Sequence, residues 1–311
     1  MPAITVRLAT LSDASAITGV HCSTVDVWED PITREATSYE RLDLYGRWRN
    51  GGPWMSVETC AVHLNAMLLN GHVPLVAEVA GKVVGEAEYF INREPSPFVA
   101  LHLSLLYIHR DWQRQGVGRT LVEAGIQRAQ ELNMPALTTQ PESDATGFYS
   151  QMDFRPWRRA QEMQLRATPA TGGAPLTTLH HQPTYAPAPA HLALRIGRYQ
   201  CGTQDWETLW PELAIPKWKD VRSWVWSGHL EGIPVTLGLR EQLLDASQVD
   251  GYAWLSPDAP LAPAVAALQT LSARKGFKAV DLLLCENVLP DLRAKFKLDY
   301  QATVDLWQRI M

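Results

Sequence analysis

The sequence is poor in paired cysteines. Its four, Cys22, Cys60, Cys201 and Cys285, lie far apart and form no C-x-x-C pair. That spacing argues against a structural zinc site or a small disulfide framework, and it suits reduced, mostly buried thiols in an intracellular protein. No metal is expected. There is no apolar run long enough to span a bilayer, and Met1-Pro2-Ala3-Ile4-Thr5-Val6-Arg7 lacks the apolar core of a secretory signal. The expectation is a cytoplasmic protein with no membrane partner. A block of like charge is also missing. With a formal net charge of −5 and no basic stripe, the chain does not read as a nucleic-acid binder. Mild acidity suits a cationic acceptor such as an amine.

What is present is enough apolar residue, 46% against 20% charged, to build a core in each half of 311 residues. The clearest boundary is the stretch from Thr168 to Ala190, rich in proline, glycine, alanine and threonine, which reads as a semi-extended linker. It divides the chain into residues 1–167, a linker at 168–190, and residues 191–311.

The first half alternates strands and helices. Ile4–Leu8 alternates as a strand, and Thr10, Ser12 and Asp13 offer capping groups for a helix through Ile17 and Val20. The segment from Trp28 to Trp54 reads as a loop-rich excursion with short helical turns. Residues 57–69 read as a helix with Val57, Ala61, Leu64 and Leu68 on one face. A hairpin over 75–79 and 82–90 follows, then a strand at 99–108, a helix at 113–132, a strand at 136–139 and a short helix at 145–151. Residues 154–165 can close a sheet. The second half repeats this order faintly at an offset of about 145 residues, with strands at 233–239 and 279–285 and helices at 265–273 and 292–297.

The informative segment is Leu106-Tyr107-Ile108-His109-Arg110-Asp111-Trp112-Gln113-Arg114-Gln115-Gly116-Val117-Gly118-Arg119-Thr120. A buried strand ends, a turn follows, and a helix opens. The first helical turn carries unpaired N–H groups and a partial positive charge. Without Cβ atoms, Gly116 and Gly118 let a phosphate approach the backbone closely, and Arg114 and Arg119 can add charge-assisted contacts. The dinucleotide fingerprint is excluded, because its third glycine and its later acidic residue are missing. The nucleotide-triphosphate loop is excluded too, because Gly-Lys-Ser/Thr is absent.

Gln113-x-x-Gly116-x-Gly118 after Leu106-Tyr107-Ile108 resembles the acyl-CoA motif of the GNAT superfamily of N-acyltransferases. Ala145-Thr146-Gly147-Phe148-Tyr149 with Asp153-Phe154, and Ile4–Thr10 with Asp13, resemble further elements of that family, so that the likeness covers most of residues 3–166. The resemblance implies an α/β (α+β) fold of two tandem GNAT-type domains, each a mixed, mostly antiparallel sheet flanked by helices. It implies acetyl-CoA as acyl donor and direct transfer of the acetyl group to an amine acceptor, a small molecule or a peptide. The diphosphate would lie on the N–H groups of Gln115, Gly116, Val117, Gly118, Arg119 and Thr120, beside Gln113 and Arg114. The pantetheine arm would pair along Leu106, Tyr107 and Ile108, with Phe148 nearby. Tyr149 matches the usual acid, a reading the Phe148-Tyr149 pair favours over that of a core aromatic. For the base, Glu86, Glu88 and His102 stay open, since His102 stands where many members carry glutamate. The family's glycine before Phe154 is Asp153 here.

His180-His181 falls in the linker with nothing to fix a metal. Cys22 beside His21 lacks an orienting third group and reads as a packing residue. Trp28, Trp48 and Trp54 either line an acceptor pocket or pack the excursion. In the second half, Pro260-Leu261-Ala262-Pro263-Ala264 replaces the glycine turn, so this copy is expected to be degenerate and not to bind CoA. Trp206, Trp210, Trp218, Trp224 and Trp226 suggest dense packing there. The competing expectation is a non-catalytic acyl-CoA-binding or interaction protein.

Overall fold

The computed structural model describes residues 3–95, 98–169, 176–189, 191–197, 201–210, 222–242 and 245–311. Trp218 and part of the expected linker lie outside these. The chain forms two compact units. One comprises Met1–Ile91, Leu101–Leu137 and Met311, the other Asn92–Ala100 and Thr138–Ile310. The division therefore does not follow the proline-rich stretch, and residues 138–167 belong with the second unit.

The first unit runs β1 (Ile4–Leu8), α1 (Ala14–Cys22), β2 (Trp28–Glu29), β3 (Ala36–Thr37), α2 (Leu44–Arg49), α3 (Val57–Leu69), β4 (Val73–Val79), β5 (Lys82–Asn92), β6 (Ala100–Ile108), α4 (Val117–Glu131) and the start of β7 (Ala136–Thr139). Its strand order is β1-β4-β5-β6-β7, and β4 pairs antiparallel with both β1 and β5. The entry to α1 is fixed by charge and capping. Asp13 accepts from Thr10 N at 2.8 Å and takes a two-pronged contact from Arg7. The α3 helix begins at Ser56, whose hydroxyl accepts from Thr59 N. Its bounds match the apolar period, but its buried face is Thr59, Cys60, Leu64 and Met67, while Val57 is exposed. The expected face is thus rotated, and the reason lies in the candidate active site: His63 is turned inward to a carboxylate.

The second unit runs α5 (Thr146–Ser150), β8 (Arg155–Arg166), β9 (Leu179–Gln182), β10 (Ala193–Ile196), α6 (Gly202–Thr208), β11 (Ser223–Leu230), β12 (Ile233–Glu241), β13 (Gln248–Leu255), α7 (Ala262–Arg274), β14 (Ala279–Cys285), α8 (Leu289–Arg293) and β15 (Leu298–Ile310). The order is β15-β8-β14-β13-β12-β11-β9, with β10 beside β13. Among the described residues of this unit, β13 and β14 pair in parallel and the other registers along this order, β10 with β13 included, are antiparallel. The succession β11, β12, β13, α7, β14, α8, β15 has the same order as β4, β5, β6, α4, β7, α5, β8. A core of Met163, Leu165, Leu237, Val280, Leu282 and their neighbours fills the space beneath α7.

Two expectations change. The proline-rich stretch is not all linker, because Leu179–Gln182 pairs with β11 as an edge strand, the position where proline-flanked segments are tolerated. The last short helix starts at Leu289 rather than 292, with Pro290 in its first turn, where a missing N–H costs nothing. Trp206 and Trp210 are buried with Trp254 in a separate aromatic cluster.

Candidate active site

The helix expected from Gln113 begins only at Val117. Two residues stop it from starting sooner: Arg114 has φ of 59° and Gly116 has φ of 88°, both in the left-handed region. Gln113 Nε2 donates to Ile108 O at 3.3 Å, and Gln115 Nε2 donates to Asp111 O at 2.8 Å, so both amides brace the turn. Gly85 on β5 lets this assembly sit close. A Cβ there would lie 2.9 Å from Ile108 Cδ1 and 3.0 Å from Val117 Cγ1. Gln113, Arg114, Gln115, Gly116 and Arg119 are exposed, and Thr120 is half-buried. Val117 is buried and anchors the turn.

Gly118 is the informative residue. A Cβ at 118 would meet Leu106 Cδ2 and Ile108 Cγ1 at 3.8 Å, ordinary contact, and no positive φ demands glycine. The protein's own packing therefore gives no reason for glycine at 118, whereas a group lying on the helix N-terminus does. Leu106, Tyr107 and Ile108 lead to this point on the part of β6 that is no longer buried: Ala100–Leu103 are buried, and Tyr107 is exposed. The residues present fit a diphosphate and an extended arm.

Behind the strands lies a buried cluster of acids and rings. Glu86 and Glu88 share one face of β5, and both are buried. Glu86 Oε2 is 2.7 Å from His21 Nε2. Glu88 Oε1 accepts from Trp54 Nε1 at 2.8 Å and lies 2.8 Å from His63 Nε2. The His21 ring is stacked between Trp54, at 5.2 Å, and Tyr107, at 4.3 Å. Burial pushes the Glu86 carboxyl well up, and the Glu88 charge adds to this. Burial and the neighbouring His63 pull His21 down to about 3. The close Glu86–His21 pair thus keeps its proton on the carboxyl and the imidazole neutral. Glu88 differs: its Oε2 is buried with no hydrogen-bond partner among the described residues, and its partner His63 is 21% exposed. His102 lies on the buried part of β6, where burial pulls it down to about 4.

Tyr149 and Phe148 stand on α5, in the second unit. Tyr149 is buried, with its ring edge-on to Phe148 at 5.0 Å and to Phe154 at 5.5 Å. Burial pushes its hydroxyl up to about 12, against the opposing pull of a hydrogen bond with Thr139. Asp153, the departure from the family's glycine, has φ of 62°, a conformation that aspartate tolerates better than most residues. The sequence reading missed His21, His63 and their link to Trp54. The signal was available only in part: His63 interrupts the apolar period of α3, but nothing local reveals which strand it faces. His180 and His181 sit on β9, with the His181 ring against Trp226. Among the described residues no cluster of metal-ligating side chains occurs, and no helix is long and apolar enough to cross a membrane.

The site's frame is a strand, β6, leading through a glycine turn into the N-terminus of α4. Residues 59–167 match the family model for the acetyltransferase (GNAT) domain. Over that segment, about a third of the chain, the sequence is that of a GNAT-type domain. No curated protein matches the sequence. Solved structures share the fold. A GCN5-related N-acetyltransferase from Kribbella flavida aligns over 99% of this chain and 72% of its own, at 13% identity and TM-score 0.57. One from Anabaena variabilis aligns over 99% and 73%, at 11% and 0.55. A tandem GNAT protein from the clavulanic acid biosynthesis pathway aligns over 99% and 98%, at 12% and 0.53. At these identities the likeness is one of fold.

Proposed function

We propose that this protein transfers the acetyl group of acetyl-CoA directly to an amine. The observation that carries the reading is Gly118: it is the glycine that packing does not require, set at the open N-terminus of a fifteen-residue helix. The N–H groups of Val117, Gly118 and Arg119, with the Gln113–Gly116 turn, would hold the diphosphate, and Leu106 to Ile108 would pair the arm. When bound, the coenzyme supplies the activated thioester.

Glu88 is the base we favour among the three candidates. One of its oxygens is held by Trp54 and His63, the other has no hydrogen-bond partner among the described residues, and His63 connects it toward solvent. Glu86 keeps its own proton, and His102 is a weak base when held near 4. Tyr149, protonated at neutral pH, is the acid that the family resemblance assigns. The rings of Trp54, His21 and Tyr107 near the Glu88 carboxylate suit a cationic amine that gives up its proton on arrival.

We further read the second half as a copy of the same domain without a coenzyme site. Its α7 is preceded by Leu261 and opens with Pro263 rather than a glycine turn. In place of an open strand edge, β10 lies along Leu255, Trp254 and Ala253 of β13.

The test is thiol release from acetyl-CoA across a panel of amines, with coenzyme binding measured in parallel. Transfer to at least one amine is expected, and Gly118→Trp should abolish coenzyme binding while leaving the fold intact. Tight coenzyme binding without transfer to any amine would reduce the protein to a binding module. Unchanged affinity in Gly118→Trp would remove the site altogether.

A further inference from the structure

The second unit contains a cavity of about 410 Å³ that the transfer reading does not use. It opens where β14 leaves β8. Their pairing ends at Cys285 opposite Ala160, whereas β15 follows β8 as far as Arg155. The neighbouring parallel strands β13 and β14 pair only over 248–250 against 279–281. Toward their carboxyl ends β10 lies along β13, and Gly197 N donates to Leu283 O on β14. A crevice at the diverging carboxyl ends of parallel strands is a recurrent ligand position in open sheets, and the volume falls within the usual range for small-molecule sites.

Two arginines give this cavity its chemistry. Arg158, from β8, lays its guanidinium over the rings of Phe98, at 4.4 Å, and Trp157, at 4.2 Å. Among the described residues it has no ion-pair partner; its side-chain hydrogen bond goes to the Cys285 thiol. Arg195, from β10, donates to the carbonyls of Ser256 and Pro257, which leave its charge in place. Among the other charges, Arg159 pairs with Asp305 at 2.8 Å, whereas Glu286 accepts from Gln161 and keeps its negative charge at the rim, and Asp258 acts on Arg195 from beside Pro257. The buried Glu94 carboxylate, which also feels Arg158, is taken up by Asn92 and by the N–H groups of Leu194 and Gly202. The remaining walls include Leu194 and Val288. A guanidinium clamped on aromatic faces keeps its planar N–H edge free for a carboxylate or phosphate.

We propose that this pocket binds a small anionic molecule that joins one oxyanion group, carboxylate or phosphate, to an apolar body. The experiment is calorimetric titration of the full chain with benzoate, phenyl phosphate and inorganic phosphate at two ionic strengths. Saturable binding of benzoate or phenyl phosphate is expected, tighter than that of inorganic phosphate and weakened by salt. The two organic probes distinguish a carboxylate from a phosphate ligand. Arg158→Met and Arg195→Met should each weaken binding about tenfold or more, as loss of a charge-assisted contact does. Arg166→Met, at the far end of the same strand, should leave it unchanged. The proposal is overturned if neither organic probe saturates the wild-type chain, if inorganic phosphate binds as tightly, or if binding survives loss of both arginines. Thermal melts check the variants, and the wild-type titration decides the matter even if one of them fails to fold.

Discussion

Glu86 and Glu88 are two residues apart on one strand face, yet their partners separate their chemistry. His21 takes up Glu86, and Trp54 with His63 takes up half of Glu88. If Glu88 is the base, Glu88→Gln should lower kcat by about 10² to 10⁴ with little change in KM for acetyl-CoA, the usual loss for a general base. Glu86→Gln, which keeps the shape of an already protonated carboxyl, should change kcat far less. Steady-state kinetics on the two variants checks this, and equal losses would return the role to the pair. The same residues predict how stability varies with pH. His21 and His102 are pulled down from 6.5 to about 3 and about 4, so below pH 6.5 the unfolded chain takes up protons that the folded chain refuses. Stability contributed by these two is full above 6.5 and falls as pH drops toward 4. Glu86 opposes them: raised above 4.5, it holds a proton that the unfolded chain releases, and its contribution falls as pH rises through that range. Near pH 5.5 Glu86 thus offsets part of the slope set by the two histidines, and Glu86→Gln should steepen it. Urea midpoints measured between pH 5 and pH 7 would reveal the difference. The pairing of Glu86 with Glu88 was legible from their spacing. Their histidine partners were not, because they come from α1 and α3, brought in by tertiary packing.

The glycines around α4 serve different ends, and each makes a separate prediction. Gly116 is needed for its backbone: with φ at 88°, Gly116→Ala should cost about 1 to 2 kcal/mol, the usual penalty for a left-handed residue with a side chain. Gly125 is needed for space. A Cβ there would stand 2.2 Å from the hydroxyl of the buried Tyr89, which donates to Leu121 O, so Gly125→Ala should cost about 1 to 3 kcal/mol by overpacking. Gly118→Ala meets only ordinary contacts and should leave stability unchanged while weakening coenzyme binding. Denaturant melts and coenzyme titrations on the three variants separate backbone, packing and binding roles. The pattern of the sequence located this helix and its glycines, since apolar period and glycine spacing are local. It placed the helix start too early because Arg114, a residue that rarely takes positive φ, does so here. It also rotated the face of α3, because a histidine turned toward a buried carboxylate looks polar in sequence although it faces inward in the fold.

At the scale of the molecule, the proline-rich stretch is a misleading place to cut. It breaks local pattern, and a reading of local pattern divides the chain there. Pairing partners far along the sequence leave no such mark. β8 ends just before the stretch, yet on one side it pairs with β14 over 160–166 and on the other with β15, both from beyond residue 278. Its Met163 and Leu165 are buried among Leu282, Leu284 and Leu237. Burial of side chains of this size is worth about 1.5 to 3 kcal/mol each, and a strand with two open edges is a template for association. A fragment of residues 1–167 should therefore not behave as an independent domain. Expressed alone, it should elute as aggregate or oligomer on size exclusion, and its β8 amides should exchange with solvent far faster than in the full chain. Co-expression with residues 168–311 should restore a compact species, because the missing neighbours of β8 are then supplied in trans. A monomeric 1–167 fragment with protected β8 amides would mean that the strand finds other partners within the first half, and that residues 138–167 do not need the second half in order to fold.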